Sequence, residues 1–205
     1  MSRALLPVTL VDYGVGNLHS IAKAAERAGA RVTVADRLDD LLAARCLIFP
    51  GVGAFDAVME RLAPVRVELA DRLRGGVPCL AVCIGMQILF ERSEEGVAPG
   101  LGLLPGTVRR LRHPKLPHMG WNTVAHDGDP AFDGIPSGSY FYFVHSFAPD
   151  PGPGTIARTD YGGAYASAVR AGGTLGVQFH PEKSSAVGAL VMRNFVDRAG
   201  REAQP

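Results

Sequence analysis

Residues 79–87 read Cys79-Leu80-Ala81-Val82-Cys83-Ile84-Gly85-Met86-Gln87. The first five form an apolar run of strand length with no polar alternation, the pattern of a strand covered on both faces. The pattern turns helical at once, and a helix is expected over 84–92. A thiol, Cys83, thus stands where a buried strand becomes a helix. Ala81 before it and Gly85 after it keep the turn free of bulk, as a sharp strand-to-helix elbow requires. Strands covered on both faces belong to parallel sheets flanked by helices.

Working outward, residues 8–11, 31–35 and 46–49 read as further strands. A helix over 17–28 puts Leu18, Ile21, Ala22 and Ala25 on one face, with Gly29 as its stop. Residues 55–74 are helical with a break at Pro64. From Leu104 the texture changes to many Gly and Pro and short strand-like runs at 107–111, 140–147, 155–159, 165–169 and 174–179. A helix over 185–198 follows, and 200–205 is expected to be a frayed tail. The expected fold is α/β: one domain over 1–205 with a mostly parallel central sheet flanked by helices, plus antiparallel hairpins in the second half.

Composition narrows the function. In 205 residues, 47% are apolar, and 21 Lys and Arg nearly cancel 20 Asp and Glu. The apolar fraction excludes disorder, and a net charge of +1 argues against a nucleic-acid binder. No run approaches the roughly 18 apolar residues of a membrane span. Residues 1–7 lead straight into a strand, so no secretory leader is expected. Three Cys without metal-type spacing speak against a disulfide framework and a metal, and for a reducing, cytoplasmic setting. The basic stretch Arg109-Arg110-Leu111-Arg112 with Lys115 reads as a solvated hairpin face or a contact with a partner.

Ligands of parallel sheets sit beyond the carboxyl ends of the strands. Those ends are Asp12-Tyr13-Gly14-Val15-Gly16-Asn17, Pro50-Gly51-Val52-Gly53-Ala54-Phe55 and the elbow at Cys83. There the sulfur would lie near a helix N-terminus, which favours the thiolate, and the Ile84 amide would face an oxyanion. Alternatively, Cys83 is a small buried hydrophobe. Of six His, His180 is followed by Pro181-Glu182. A residue before Pro is extended, and extended residues i and i+2 point the same way. His180 and Glu182 can then present an imidazole and its orienting carboxylate, or form an ordinary surface turn. His145 is the second candidate base. The Val52 amide is the candidate second oxyanion donor, in a loop that could equally be a plain Gly-rich turn. Neither Gly-rich loop fits a phosphate or dinucleotide fingerprint.

Together these residues resemble the class I, triad-type glutamine amidotransferases, and among them the glutaminase subunits of imidazole glycerol phosphate synthases. The match is collinear from Asp12 to Ser185. It rests on Val82-Cys83-Ile84-Gly85-Met86-Gln87 and His180-Pro181-Glu182 for the class. For the narrower family it rests on the Asp12 and Pro50 loops, Pro117-His118-Met119-Gly120-Trp121-Asn122, Tyr142-Phe143-Val144-His145-Ser146-Phe147 and Gly176 to Ser184.

The resemblance implies a Cys83-His180-Glu182 triad and an oxyanion hole from the Val52 and Ile84 amides. It implies a glutamine pocket of Gly53, Gln87, Glu95, Ser146 and Phe147, with Glu95 holding the amino group. Met119, Trp121 and Lys183 would meet a (βα)₈-barrel cyclase in a heterodimer, and no metal or organic cofactor is implied. Ala81, Ile84 and Phe147 depart from commoner Gly, Leu and Tyr, and Tyr161-Gly162-Gly163 lacks an Asp; none touches the triad. Glutaminases serving pyridoxal phosphate or anthranilate synthesis, a stand-alone cysteine hydrolase and a non-catalytic subunit are the rival readings.

Overall fold

The computed structural model describes residues 4–14, 18–35 and 37–202. Val15, Gly16 and Asn17 of the first loop, and 203–205 of the expected tail, lie outside the described residues. The chain runs β1 (Leu6–Val11), α1 (His19–Arg27), β2 (Ala30–Ala35), α2 (Leu38–Ala43), β3 (Leu47–Phe49), α3 (Phe55–Leu62), α4 (Arg66–Arg74) and β4 (Cys79–Val82). It continues through α5 (Ile84–Gln87), β5 (Phe90–Ser93), β6 (Leu104–Arg110), β7 (His118–His126), β8 (Ser139–His145) and β9 (Phe147–Pro149). Last come β10 (Thr155–Asp160), β11 (Ala164–Ala171), β12 (Thr174–Val177) and α6 (Ser185–Glu202).

Nine strands form one mixed sheet in the order β2-β1-β3-β4-β12-β11-β10-β7-β8. The half from β2 to β12 is parallel, and the half from β12 to β8 is antiparallel. The expected hairpins are thus a continuation of the central sheet. A smaller sheet, β5-β6-β9, sits beside it. No helix among the described residues is long and apolar enough to cross a membrane.

Strand β4 shows why the sheet forms. All four of its residues are fully buried, yet they serve two cores. Leu80 and Val82 pack on the face covered by α1 and α6, with Ile21, Val191 and Met192. Cys79 and Ala81 pack on the face covered by α2, α3 and α4, with Leu41, Met59 and Leu69. Period-two alternation into two apolar layers is what an unbroken apolar run encodes. Each fully buried Leu or Val contributes roughly 1.5–3 kcal/mol.

Several boundaries differ from expectation. The helix expected over 84–92 stops at Gln87, because Phe90, Arg92 and Ser93 pair with Leu104, Thr107 and Val108 of β6. Long-range pairing overrides local pattern here. The break at Pro64 is a 3-10 turn, Ala63–Val65, between α3 and α4. Strand β7 gives little periodic signal; it is held by seven paired positions with β8. The last helix runs past Arg198 to Glu202, where the two side chains form an ion pair at 2.7 Å, so 200–202 are helical rather than frayed.

Gly85 lets α5 sit directly on β3: a Cβ there would lie 2.7 Å from the Phe49 carbonyl oxygen and 2.8 Å from its Cβ. Gly85→Ala is therefore expected to cost about 1–3 kcal/mol through overpacking, partly offset by the helix preference of Ala. Urea denaturation checks this; a midpoint equal to wild type would refute the close packing.

Candidate active site

Cys83 adopts φ 50° and ψ −108°, a conformation that a residue with a Cβ rarely takes. Strain of this kind persists only where the surroundings over-determine it. Here the Cys83 amide donates to the Val177 carbonyl at 2.7 Å, and its carbonyl accepts from the Gln87 amide at 3.1 Å. The side chain leaves the end of β4 and its sulfur lies 3.8 Å from the Val144 carbonyl oxygen. The Gln178 side-chain amide donates to the sulfur at 3.5 Å. Ile84 opens α5, where the helix supplies no partner for its amide. Cys46 and Cys79 are buried thiols; burial pushes Cys46 up to about 12 and Cys79 upward as well.

The candidate base arrives from the neighbouring strand. β12 pairs in parallel with β4, Val177 opposite Val82, so the chain leaving β12 runs beside the elbow. His180 is extended at φ −97° and ψ 99°, and Pro181–Lys183 form a 3-10 turn that returns Glu182 to it. Imidazole Nδ1 and Glu182 Oε1 are 2.7 Å apart, with the two side chains only 4% and 8% exposed. Burial alone pulls the imidazolium down. Cys83 and the Glu182 carboxylate together more than reverse this, pushing His180 up to about 10. Nε2, the nitrogen not held by Glu182, is buried without a hydrogen-bond partner. Thiol and imidazole are neighbours, not yet bonded. Gly51 accounts for the fit: a Cβ there would lie 2.7 Å from His180 Cε1 and 3.0 Å from Cys83 Cβ.

The loop from Pro50 to Phe55 lies along this pair. Val52 packs its side chain on the core, and Gly53 has φ +108°. Glu94 and Glu95 diverge. Glu94 accepts from Arg110 N and pairs with Arg109 at 3.0 Å, whereas Glu95 accepts from the Phe55 amide at 3.1 Å, at the end of the loop. Gln87 is buried, its Nε2 donating to the Phe147 carbonyl at 2.8 Å and to Gln178 Oε1 at 3.3 Å. Ser146 lies between β8 and β9, its carbonyl accepting from Leu111 N. The Phe147 ring lies under Arg110 at 5.9 Å, so its nearest link to the elbow is its carbonyl.

His145 is not placed as a second base. Its Nδ1 bonds the Phe147 carbonyl at 2.9 Å, and its Nε2 lies 3.4 Å from His118 Nδ1 and 3.3 Å from the Tyr165 hydroxyl. Burial holds it neutral, down to about 3, and His118 down to about 4. Two positions went unnoticed as site residues: Gln178 and Ser184, both fully buried. The Ser184 hydroxyl donates to the His180 carbonyl at 2.7 Å and accepts from Tyr142 N at 3.0 Å, fastening the 180–184 segment to β8. Their signal was only their place in the Gly176 to Ser184 stretch.

Met119, Trp121 and Lys183 gather on one face. Met119 and Trp121 are 62% and 50% exposed on β7. Trp121 meets the Tyr142 ring edge-on at 6.1 Å, and Lys183 Nζ lies 5.9 Å from the same ring. Met119 is paired with Val144, whose carbonyl faces the Cys83 sulfur, so this face backs onto the elbow. A separate surface hollow of about 540 Å³, lined by Leu6, Arg27, Arg45 and Arg193, lies at the amino end of β1, away from this chemistry. Among the described residues no group of three or more His, Cys, Asp or Glu could hold a metal ion.

Residues 9–199 match the family model described as glutamine amidotransferase class-I. The chain belongs to the class-I glutamine amidotransferases. It is 44% identical over 199 residues to the imidazole glycerol phosphate synthase subunit HisH of Methanosarcina mazei, covering 93% of this chain and 98% of that one. It is 46% identical over 203 residues to the HisH subunit of Natronomonas pharaonis, covering 93% and 94%. Within its class the chain is therefore a member of the HisH family, and it is a glutamine amidotransferase. The fold matches a solved glutamine amidotransferase with TM-score 0.72 at 21% identity, covering 94% of this chain and 98% of that one. It also matches PurLQS of Thermotoga maritima with TM-score 0.69 at 19% identity, covering 97% and 98%.

The three imidazoles give stability a bell-shaped pH dependence. Below about pH 6.5 an unfolded chain protonates His118 and His145, which the fold resists until about 4 and 3, so stability falls as pH drops. His180 acts oppositely: its raised value adds stability that is complete below about pH 6.5 and lost as pH rises through about 10. Urea midpoints should fall from pH 7 to pH 5, and His145→Asn should shrink that difference. An unchanged difference in the variant would assign the acid limb to other groups.

Proposed function

We propose that the chain is the glutaminase subunit of an imidazole glycerol phosphate synthase, with Cys83 as nucleophile, His180 as base and Glu182 as its orienting acid. The observation that carries this is the strained Cys83 elbow facing a buried His180–Glu182 pair at 2.7 Å. His180 takes the Cys83 proton on Nε2, or the pair already rests as thiolate and imidazolium, which the raised value of His180 favours, and the thiolate attacks the glutamine carboxamide carbon. The Val52 and Ile84 amides hold the oxyanion, and such a donor is typically worth ~10²–10³ in rate. His180 returns the proton to departing ammonia, and water then cleaves the glutamyl thioester to glutamate. Gly53, Gln87, Ser146 and Phe147 line the glutamine pocket, and Glu95 binds its amino group.

The ammonia passes to a cyclase subunit of (βα)₈-barrel fold that docks on Met119, Trp121 and Lys183 to form a heterodimer in the cytoplasm. Two exposed apolar side chains beside a lysine, directly behind the elbow, support that docking face. The family membership favours this synthase over those of pyridoxal phosphate or anthranilate, and over a stand-alone hydrolase.

Cys83→Ala is expected to abolish glutamine hydrolysis while leaving ammonia-dependent synthesis by the complex intact. Glu182→Gln should cost less than His180→Ala, because it disturbs the base without removing it. Coupled assays with glutamine or ammonium as nitrogen source separate these effects; glutaminase activity retained in Cys83→Ala would refute the triad.

The Pro50 loop is also the place where a partner can act. With Gly51 and Gly53 around it, the Val52 peptide can rotate at modest steric cost. The isolated chain is expected to be about 10²-fold slower than the complex with cyclase ligand, a shift needing only ~2.7 kcal/mol of differential binding. Full glutaminase activity in the isolated chain would exclude such gating.

A further inference from the structure

Gln178 follows β12, fully buried, and its side chain lies between Gln87 and the Cys83 sulfur. Which way its amide faces is dictated from the far end of a hydrogen-bond chain. The Phe147 carbonyl can only accept, so Gln87 must turn its Nε2 toward it, at 2.8 Å. The same Nε2 donates to Gln178 Oε1 at 3.3 Å. With its oxygen so engaged, Gln178 has only its Nε2 left to present to the sulfur, at 3.5 Å. His145 Nδ1, bonded to the same Phe147 carbonyl at 2.9 Å, anchors the start of the chain. The neutral thiol has the Val144 carbonyl as its acceptor at 3.8 Å. An amide N–H gains most when the sulfur is an anion, since hydrogen bonds to charged groups are the stronger ones.

We propose that Gln178 is a further catalytic residue, whose side-chain N–H holds the Cys83 sulfur as a thiolate, and that Gln87 is the positioning residue that keeps that N–H aimed at it. The proposal rests on Cys83 being the nucleophile and adds a donor that the triad does not contain. On deprotonation the proton leaves Sγ for His180 Nε2, the Val144 contact is given up, and the Gln178 N–H remains on the anion. His180 supplies the balancing charge and Gln178 fixes where the sulfur sits. The other titratable groups around the sulfur are Glu182 behind His180, Tyr165 on β11 and His145 on β8.

The test reads the thiol itself and needs no glutamine. Iodoacetamide alkylation of the free chain is followed against pH, with Cys83→Ala as blank; Cys46 and Cys79 have no exposed surface, against 7% for Cys83, and stay silent. Gln178→Leu is expected to move the alkylation midpoint up by about one unit, slowing alkylation about 10-fold at pH values well below the midpoint. Gln178→Glu, of the same shape but without the donor and carrying a charge, should move it further. In wild type, one glutamine side-chain amide signal in ¹⁵N spectra should titrate with the alkylation midpoint and lose that titration in Cys83→Ala. The NMR arm needs no Gln178 variant to fold. An alkylation profile unchanged in folded Gln178→Leu, or glutamine amide signals flat through the midpoint, overturns the proposal. Alkylation that shifts as expected in a chain without glutaminase activity would support the thiolate contact while refuting the proposed reaction.

Discussion

The parallel pairing of β12 with β4 is the constraint on which the site depends. Four residues of each strand are in register, from Thr174 opposite Cys79 to Val177 opposite Val82. Where they end, the Val177 carbonyl receives the Cys83 amide at 2.7 Å, which holds Cys83 in its unfavourable backbone conformation. The same register brings Gln178 and His180 to the elbow. One backbone pairing thus stores the strain of the elbow, places His180 and supplies the neighbouring Gln178. A one-residue slip would send these side chains to the opposite faces of the sheet.

Around that pairing many buried polar groups are hydrogen-bonded, while the Ser167 and Thr174 hydroxyls have no partner. Gln87 and His145 converge on the Phe147 carbonyl, Ser184 clips the segment after His180 to β8, and His118, His145 and Tyr165 satisfy one another. A buried network of this kind tolerates few alternative arrangements, because an unpaired group costs about 1–3 kcal/mol. The unpartnered exceptions include His180 Nε2 and the second oxygen of Glu182. On one exposed face Trp121, Tyr142 and Lys183 meet behind the Val144 carbonyl.

Legibility followed the range of the interaction that decides each feature. The helix face of Ile21 and Ala25 was readable because a 3.6-residue period reports which side meets the core, and Gly29, at φ +103°, stops that helix. The extended backbone of His180 was readable because a proline follows it, but its pairing with Glu182 comes from the 3-10 turn Pro181–Lys183 and not from the extended chain that the spacing suggested. The premature end of α5 was not readable, since it depends on β6 arriving from residues far along the chain. Nor was β7, whose mixed residues become a strand only when β8 pairs with it. His145 could be marked as close to the site but not as neutral, because its state is decided by the burial and partners that other strands bring.

The sequence alone determined the strand-elbow-helix at Cys83, the two-sided burial of β4 and the class of chemistry, and it named the three side chains proposed to carry it. Each of these follows from local pattern, or from short motifs whose order along the chain is itself distinctive. The tertiary structure alone decided that Glu94 is spent on β6 while Glu95 reaches the Pro50 loop, that Gly51 must lack a side chain, and that Gln178 faces the sulfur. Those facts depend on which atoms meet across strands far apart in sequence, and no local spacing encodes them.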